Sequence, residues 1–245
     1  MPIAHGRPDQ DSTLLSAKGS SLPVRLWEKA PPRETVSAAA YRLLREAIAG
    51  GQIAMGTRIN EIELASAWNI SRTPIRDALR RLEAEGLVQS VPGRGVIVPA
   101  LSLADAHELY ELREVLEARA ARRAAEHGGV ELSARLNELI RIFGSALKAG
   151  DLEGMTAADV ALHAAVAAHS GNARLERAIE TVRTQAYGIR VRMTRVKGRG
   201  AKSLREMARL VAAIRARDPA RAEAAMREHI ASLRADLDAA FAATD

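Results

Sequence analysis

The 245-residue chain contains no cysteine, and phenylalanine, tryptophan and tyrosine together make up only 3% of it. Without thiols there are no disulfides, no thiolate nucleophile and no cysteine-type zinc site. With so few rings, a core drawn from the 47% of apolar residues must be filled by Ala, Leu, Val and Ile, which favours closely packed helices over a β-sandwich. Also missing is any run of the ~18 consecutive apolar residues that a membrane-spanning helix needs, and the N-terminus has no apolar signal core. The expectation is a soluble, cytoplasmic protein with no membrane partner. No glycine-rich phosphate loop, nucleophile or paired general acid and base stands out, so an enzyme is not expected. What the chain does have is positive charge, a net +6 with a pI near 10.1, which suits a polyanionic partner without requiring one.

The length allows two domains. Residues 1–34 carry Pro, Gly, Ser and mixed charge without periodicity and read as a flexible tail. Residues 35–100 read as three short helices and a β-hairpin. The first, TVSAAAYRLLREAIAGG, sets Val36, Ala40, Leu43, Leu44 and Ile48 on one face. A second carries Ile62, Leu64 and Ala65 after a capping-box pair, Asn60 and Glu63. The third lies in SRTPIRDALRRLEAEGLV, residues 71–88, where Ser71 suits an N-cap and Pro74 falls in the first turn. There Ile75, Leu79 and Leu82 form a stripe to be buried, while Arg72, Arg76 and Arg80 form another about 100° away. Two helices joined by so short a turn, the second striped with arginine, suggest helix-turn-helix, and the hairpin about PGRG makes a wing tipped by Arg94. Residues 101–245 read as all-α, with about six helices over 102–127, 131–148, 151–169, 172–193, 203–217 and 219–243. Leu109, Leu112 and Leu116 are expected on the inner face of the first, and RVKGRGAK is expected to be a loop.

These motifs resemble the GntR family of bacterial transcription regulators, in the FadR-like subfamily with an FCD ligand-binding domain. The resemblance covers nearly all of residues 35–240. SRTPIRDALRRLEAEGLV followed by PGRGVIV carries it in the first domain; LYELREVLEARAARRAA, DVALHAAVAAHSGNARL and AAMREHI carry it, in that order, in the second. It implies a mainly α fold, a winged helix-turn-helix followed by an FCD-type helical bundle. It further implies that Arg72, Thr73 and Arg76 reach the major groove, and that Arg94, between Gly93 and Gly95, enters a minor groove. Arginine chemistry agrees, since a guanidinium can read guanine bidentately. The alternative for such arginines is a solvated helix face, which is the reading taken for Arg81 with Glu85. Some relatives begin the second helix with a DNA-contacting arginine where this chain has Ile62.

In the second domain Asp159 and His163 share a helix face at i,i+4, as two ligands of one cation would. The resemblance adds His229, and places a further histidine where this chain has Met207, a poor ligand for zinc, nickel or manganese. Three readings stay open: one divalent metal held facially by Asp159, His163 and His229, a pocket that works without metal, or histidines that only satisfy hydrogen bonds. His169 is assigned a helix-end role. The resemblance points Arg113 into the effector cavity, against an ordinary ion pair with Glu117, and Arg190 is a further candidate for that cavity. The segment 183–209 has nine Lys or Arg against one Glu and no assigned role. The function this implies is a homodimeric repressor of a palindromic double-stranded operator that senses a small organic-acid or sugar-acid carboxylate. The alternatives are a metal-dependent enzyme using Asp159, His163 and His229, and a constitutive DNA-binding protein without effector.

Overall fold

The computed structural model describes residues 35–242; the expected N-terminal tail lies outside them. Helix α1 (Val36–Ala49) starts where the Thr35 hydroxyl accepts the Ala38 N–H, and buries Ala40, Leu44, Ala47 and Ile48. Strand β1 (Arg58–Ile59) leads into α2 (Glu61–Ala67), capped by the Asn60 side chain, which accepts from the N–H groups of Ile62 and Glu63. Helix α3 (Arg72–Ala84) buries Ile75, Ala78, Leu79 and Leu82 against α1. Ser71 occupies its N-cap position, but the hydroxyl makes no capping bond. Pro74, in the first turn, lacks an N–H that would have had no helical partner.

Strands β2 (Gln89–Val91) and β3 (Gly95–Ile97) form the wing, and β1 pairs with β3 to give an antiparallel sheet in the order β1-β3-β2. The hairpin tip needs left-handed backbone, supplied by Gly93 (φ +75°) and Gly95 (φ +78°). Leu44, Leu64, Ile75, Leu82 and Leu87 are at most 2% exposed at the centre of this domain. Each such buried side chain stabilises by about 1.5–3 kcal/mol.

The remainder is helical: α4 (Leu103–His127), α5 (Val130–Ala149), α6 (Leu152–Ala168), α7 (Ala173–Gln185), α8 (Tyr187–Met193), α9 (Arg199–Arg215), α10 (Pro219–Ala235) and α11 (Leu237–Ala242). Helix α4 opens with a capping box of Ser102 and Asp105 and packs on α10 and α7; α5 packs on α6 and α9. Ala118, Ala120, Ala121, Ala124 and Ala125 of α4 are all buried, and such small side chains let helix axes approach closely.

Five local expectations are corrected. The helix expected over 172–193 breaks at Ala186 and the one over 219–243 breaks at Asp236, so the bundle has eight helices among the described residues. Neither break is marked by glycine or proline. Tertiary contacts accompany them: Tyr187 lies against Gly51 of the winged domain, and the Asp236 carboxylate accepts from Arg199 at 2.8 Å. RVKGRGAK is not simply a loop, because α9 begins at Arg199, which is buried and bonds Ser203, Ser232, Glu206 and Asp236. On α4, Leu112 is 45% exposed, and Tyr110, Arg113, Glu117 and the alanines take the inner face instead. On α1, Val36 is half exposed at the first turn.

Candidate functional site

On the winged domain, Arg72, Thr73 and Arg76 are exposed on the N-terminal half of α3, and Arg94 with Gly93 and Gly95 is exposed at the wing tip. One carboxylate oxygen of Glu61, the first residue of α2, accepts from Arg72 at 3.2 Å and from Arg76 at 2.8 Å. Partial burial opposes ionisation of Glu61, but these hydrogen bonds hold its carboxyl below the usual range. Nothing local in the sequence marks this clamp beyond the acidic residue in the first turn of α2. Ile62, beside it, is 62% exposed on the same helix. Arg80 faces Asp77 at 3.8 Å. Arg81 is not merely solvated: its guanidinium stacks 3.9 Å from the centre of the Tyr41 ring, whose hydroxyl donates to Glu85.

Inside the bundle, Asp159 and His163 of α6 converge with His229 of α10, offering three ligand atoms that all lie within 4.8 Å of one another. His163 Nδ1 is hydrogen-bonded to Glu117 of α4, and His229 Nδ1 to Glu206 of α9 at 2.8 Å. An ionised carboxylate only accepts, so each Nδ1 carries a proton, and in its neutral form each imidazole presents an Nε2 lone pair. Both Nε2 atoms are buried and make no hydrogen bond among the described residues. Burial and the nearby His163 push the His229 pKa down, against the opposing pull of Glu206. Asp159 has its own holder: Arg190 donates to Oδ2 at 2.7 Å, while Oδ1 lies 3.5 Å from His163 Nε2. Burial alone would raise the Asp159 pKa, yet His163 and Arg190 keep it far below the carboxylate range. Two imidazoles and one carboxylate, each oriented by a partner behind it, form a donor set and outer shell that could hold a divalent cation.

The two carboxylate holders are themselves satisfied. Burial raises and then His229, Ser232 and Arg199 lower the Glu206 pKa, to about 2. Met207, beside it on α9, is fully buried. In the sequence Glu117 is only a helical neighbour of Arg113, and nothing local to Glu206 marks it as the partner of His229. The expected intrahelical pair is present, Arg113 Nε donating to Glu117 at 2.7 Å, with both side chains buried. Arg113 also keeps an unpartnered Nη1 beside Tyr110, Asp159 and Arg190, which line a small pocket of about 30 Å³. Arg183, unassigned in the sequence, is buried with its Nη2 donating to the Val160 carbonyl. His169 caps the end of α6, its Nδ1 2.9 Å from the Ala165 carbonyl oxygen.

The segment carrying Arg183 and Arg190 has a second contact face. Gln185 donates to the carbonyl of Glu85, the residue that caps α3, at 2.6 Å. Arg45 of α1 bridges Glu85 and Glu180 of α7. The Tyr187 ring lies against Gly51, whose left-handed backbone (φ +69°) and missing Cβ make room for it. Beside these contacts a cavity of about 290 Å³ opens between the domains, lined among others by Ile53, Met55, Leu87, Tyr187 and Val191.

Comparison with known proteins places this arrangement. Residues 36–98 match the model for bacterial regulatory proteins of the gntR family, and residues 108–232 match the FCD domain. The chain is 31% identical over 206 residues, 82% of its length and 88% of the other, to a probable D-xylose utilization operon transcriptional repressor of Paenarthrobacter nicotinovorans. It is 39% identical over 128 residues, 51% of its length and 75% of the other, to an uncharacterized HTH-type transcriptional regulator in the TAR-I ttuE-ttuC' intergenic region of Agrobacterium vitis. In three dimensions it resembles E. coli McbR/YncC with a TM-score of 0.73 over 85% of this chain and 99% of that one, at 21% identity, which speaks for the fold. No helix among the described residues is long and apolar enough to cross a membrane. The oxygen-activating enzyme that a two-histidine, one-carboxylate set can suggest is set aside by the company the site keeps: the chain belongs to the gntR family of bacterial regulatory proteins, a transcriptional regulator with an FCD domain behind its winged helix-turn-helix.

Proposed function

We propose that this regulator is a homodimeric repressor whose winged domain, residues 35–100, binds a palindromic operator and whose helical domain, residues 101–245, senses a small organic or sugar acid at a divalent-metal centre. The observation that carries the sensing part is the pair of orphaned Nε2 atoms on His163 and His229. Each is aimed at Asp159 and locked in its tautomer by a buried carboxylate, Glu206 or Glu117. Two buried imidazole nitrogens lacking a hydrogen-bond partner are costly unless something completes them. Zinc, nickel or manganese suits this donor set. When bound, such a cation leaves open positions that an effector carboxylate completes, with Arg113 and Arg190 available to its other oxygens.

On the DNA side, Arg72, Thr73 and Arg76 are proposed to contact the major groove, and Arg94 a minor groove approached closely through Gly93 and Gly95. The Glu61 clamp supports this role, because it holds two guanidiniums side by side without burying either. Dimerisation is supported by α4, which leaves Leu112 and Val115 exposed beside the partly buried Leu109 and Leu116. Two such modules on a palindrome add their contacts. Repression is the logic named for the relative from P. nicotinovorans. Metal analysis of the purified protein before and after chelation tests the sensing part. Stoichiometric metal lost in His163→Ala is expected; metal that persists in that variant would place the centre elsewhere.

A further inference from the structure

The cavity of about 290 Å³ between the winged domain and the bundle belongs to neither role proposed above: none of its lining residues is Asp159, His163 or His229, nor a residue that orients them. Its walls are apolar and come from both domains. Ile53 and Met55 follow α1, Leu87 follows α3, Leu101 lies in the linker between β3 and α4, and Val191 is on α8. The charge that lines it has one sign. Half-buried Arg192 and exposed Arg195 both contribute, held near each other by a turn in which the Arg195 N–H donates to the Arg192 carbonyl at 3.0 Å, and no acidic residue lines the cavity among the described residues. Neither guanidinium forms an ion pair with a described residue. That of Arg192 instead lies 4.6 Å from the centre of the Phe241 ring. Stacking engages the flat face of a guanidinium and leaves its in-plane N–H groups free to bind an anion. A purely apolar ligand would leave this charge unanswered, and a small hydrophilic anion would leave the walls uncovered.

We propose that this cavity is a second ligand site that takes an amphipathic monocarboxylate, its apolar body against Ile53, Met55, Leu87 and Val191 and its single carboxylate on Arg192 and Arg195. The planar forks of two arginines match a carboxylate. The volume lies at the lower end for ligand pockets and equals the share of about ten liquid waters, which sets the ligand at about ten to thirteen non-hydrogen atoms. Such a body touches both domains at once. It also rests beside Gln185, which lines the cavity and donates to the carbonyl of Glu85 at the end of α3, so occupation bears directly on the seat of the DNA-facing helix.

The test is calorimetric titration of the full-length protein with 1-naphthoate and with octanoate, each beside the alcohol that carries the same body, 1-naphthalenemethanol and 1-octanol. Each acid is expected to bind at least about tenfold more tightly than its alcohol, with the same affinity in zinc and in chelator. Arg192→Gln should bring each acid down to the level of its alcohol and leave the alcohol unchanged. Should that variant fail to fold, Arg195→Gln alters only an exposed position, and a partial loss of the preference for the acid is expected. Val191→Trp, which fills the cavity, should abolish binding of acid and alcohol alike while the thermal unfolding transition is retained. Equal affinities of acid and alcohol, acid binding that survives in a folded Val191→Trp, or binding of neither acid at millimolar concentrations would overturn the proposal. Acid binding that requires zinc would also overturn it, and would assign the ligand to the Asp159–His163–His229 cluster instead.

Discussion

Arg72 and Arg76 on α3 and Arg113, Arg190 and Arg199 in the bundle are the same side chain in opposite surroundings. The first two leave 48% and 51% of their side-chain surface open and share one carboxylate; the other three are 1%, 5% and 2% exposed and each faces its own. An exposed ion pair contributes about 0–1 kcal/mol, so Glu61 can give up its arginines to phosphate or guanine at little cost. A buried pair is different: removing one partner costs about 3–5 kcal/mol, and the arrangement persists only where geometry and further hydrogen bonds offset desolvation. The winged domain holds these charges loosely at its surface, while the bundle has fixed its charges in buried pairs.

This contrast can be broken from either side. The largest effect is expected from His163→Ala, which should abolish thermal stabilisation by zinc; at metal concentrations 100-fold above Kd that stabilisation is about 2.7 kcal/mol in the parent. Met207→His should move the other way and raise zinc affinity, both read by differential scanning calorimetry. Glu206→Gln leaves the three ligands intact but loosens the orientation of His229, and should lower metal affinity about 10–100-fold by competition with a chromophoric chelator. Arg76→Ala should weaken operator binding by about 1–3 kcal/mol in a gel shift at fixed salt and relax base preference at one position. Glu61→Gln should have a smaller effect: binding to non-specific DNA tightens, as one negative charge facing phosphate is removed, and discrimination between operator and random DNA narrows. Arg81→Ala should be the mildest, a loss of about 0.5–1 kcal/mol in unfolding stability from the contact with Tyr41, with operator affinity unchanged.

The sequence made the winged domain legible because its signals are local. The stripe of Ile75, Leu79 and Leu82, the cap at Asn60 and the glycines around Arg94 all act within a few residues, and all lie in the elements expected. The two-residue strand β1 escaped because it exists only through pairing with β3 nearly forty positions on. In the bundle, helices were legible as helices, but their breaks and inner faces depend on partners far away in sequence. Glu117 meets His163 across 46 positions, and Glu206 meets His229 across 23. Buried arginine looks the same as solvated arginine in one dimension, so Arg183 and Arg199 vanished into a basic segment. Likewise Leu112 fitted a helical period that Tyr110, Arg113 and Glu117 occupy instead. The convergence of Asp159, His163 and His229 was within reach because i,i+4 spacing is local and the family register supplied His229; the residues that orient them were not.

On this account the Asp159–His163–His229 cluster and the DNA-facing helix communicate through the α7–α8 segment, where Arg190 holds Asp159 while Gln185 and Tyr187 touch the winged domain. Fluorescence anisotropy tests it most directly, using an operator selected from random DNA by the wild type, titrated with and without saturating zinc and succinate, for the wild type and for His163→Ala. Coupled sites typically shift each other's affinity about 5–150-fold. A shift of that size in the wild type that disappears in His163→Ala is the predicted result. An operator affinity indifferent to zinc and acid in the wild type, or a response that survives in the variant, would contradict it.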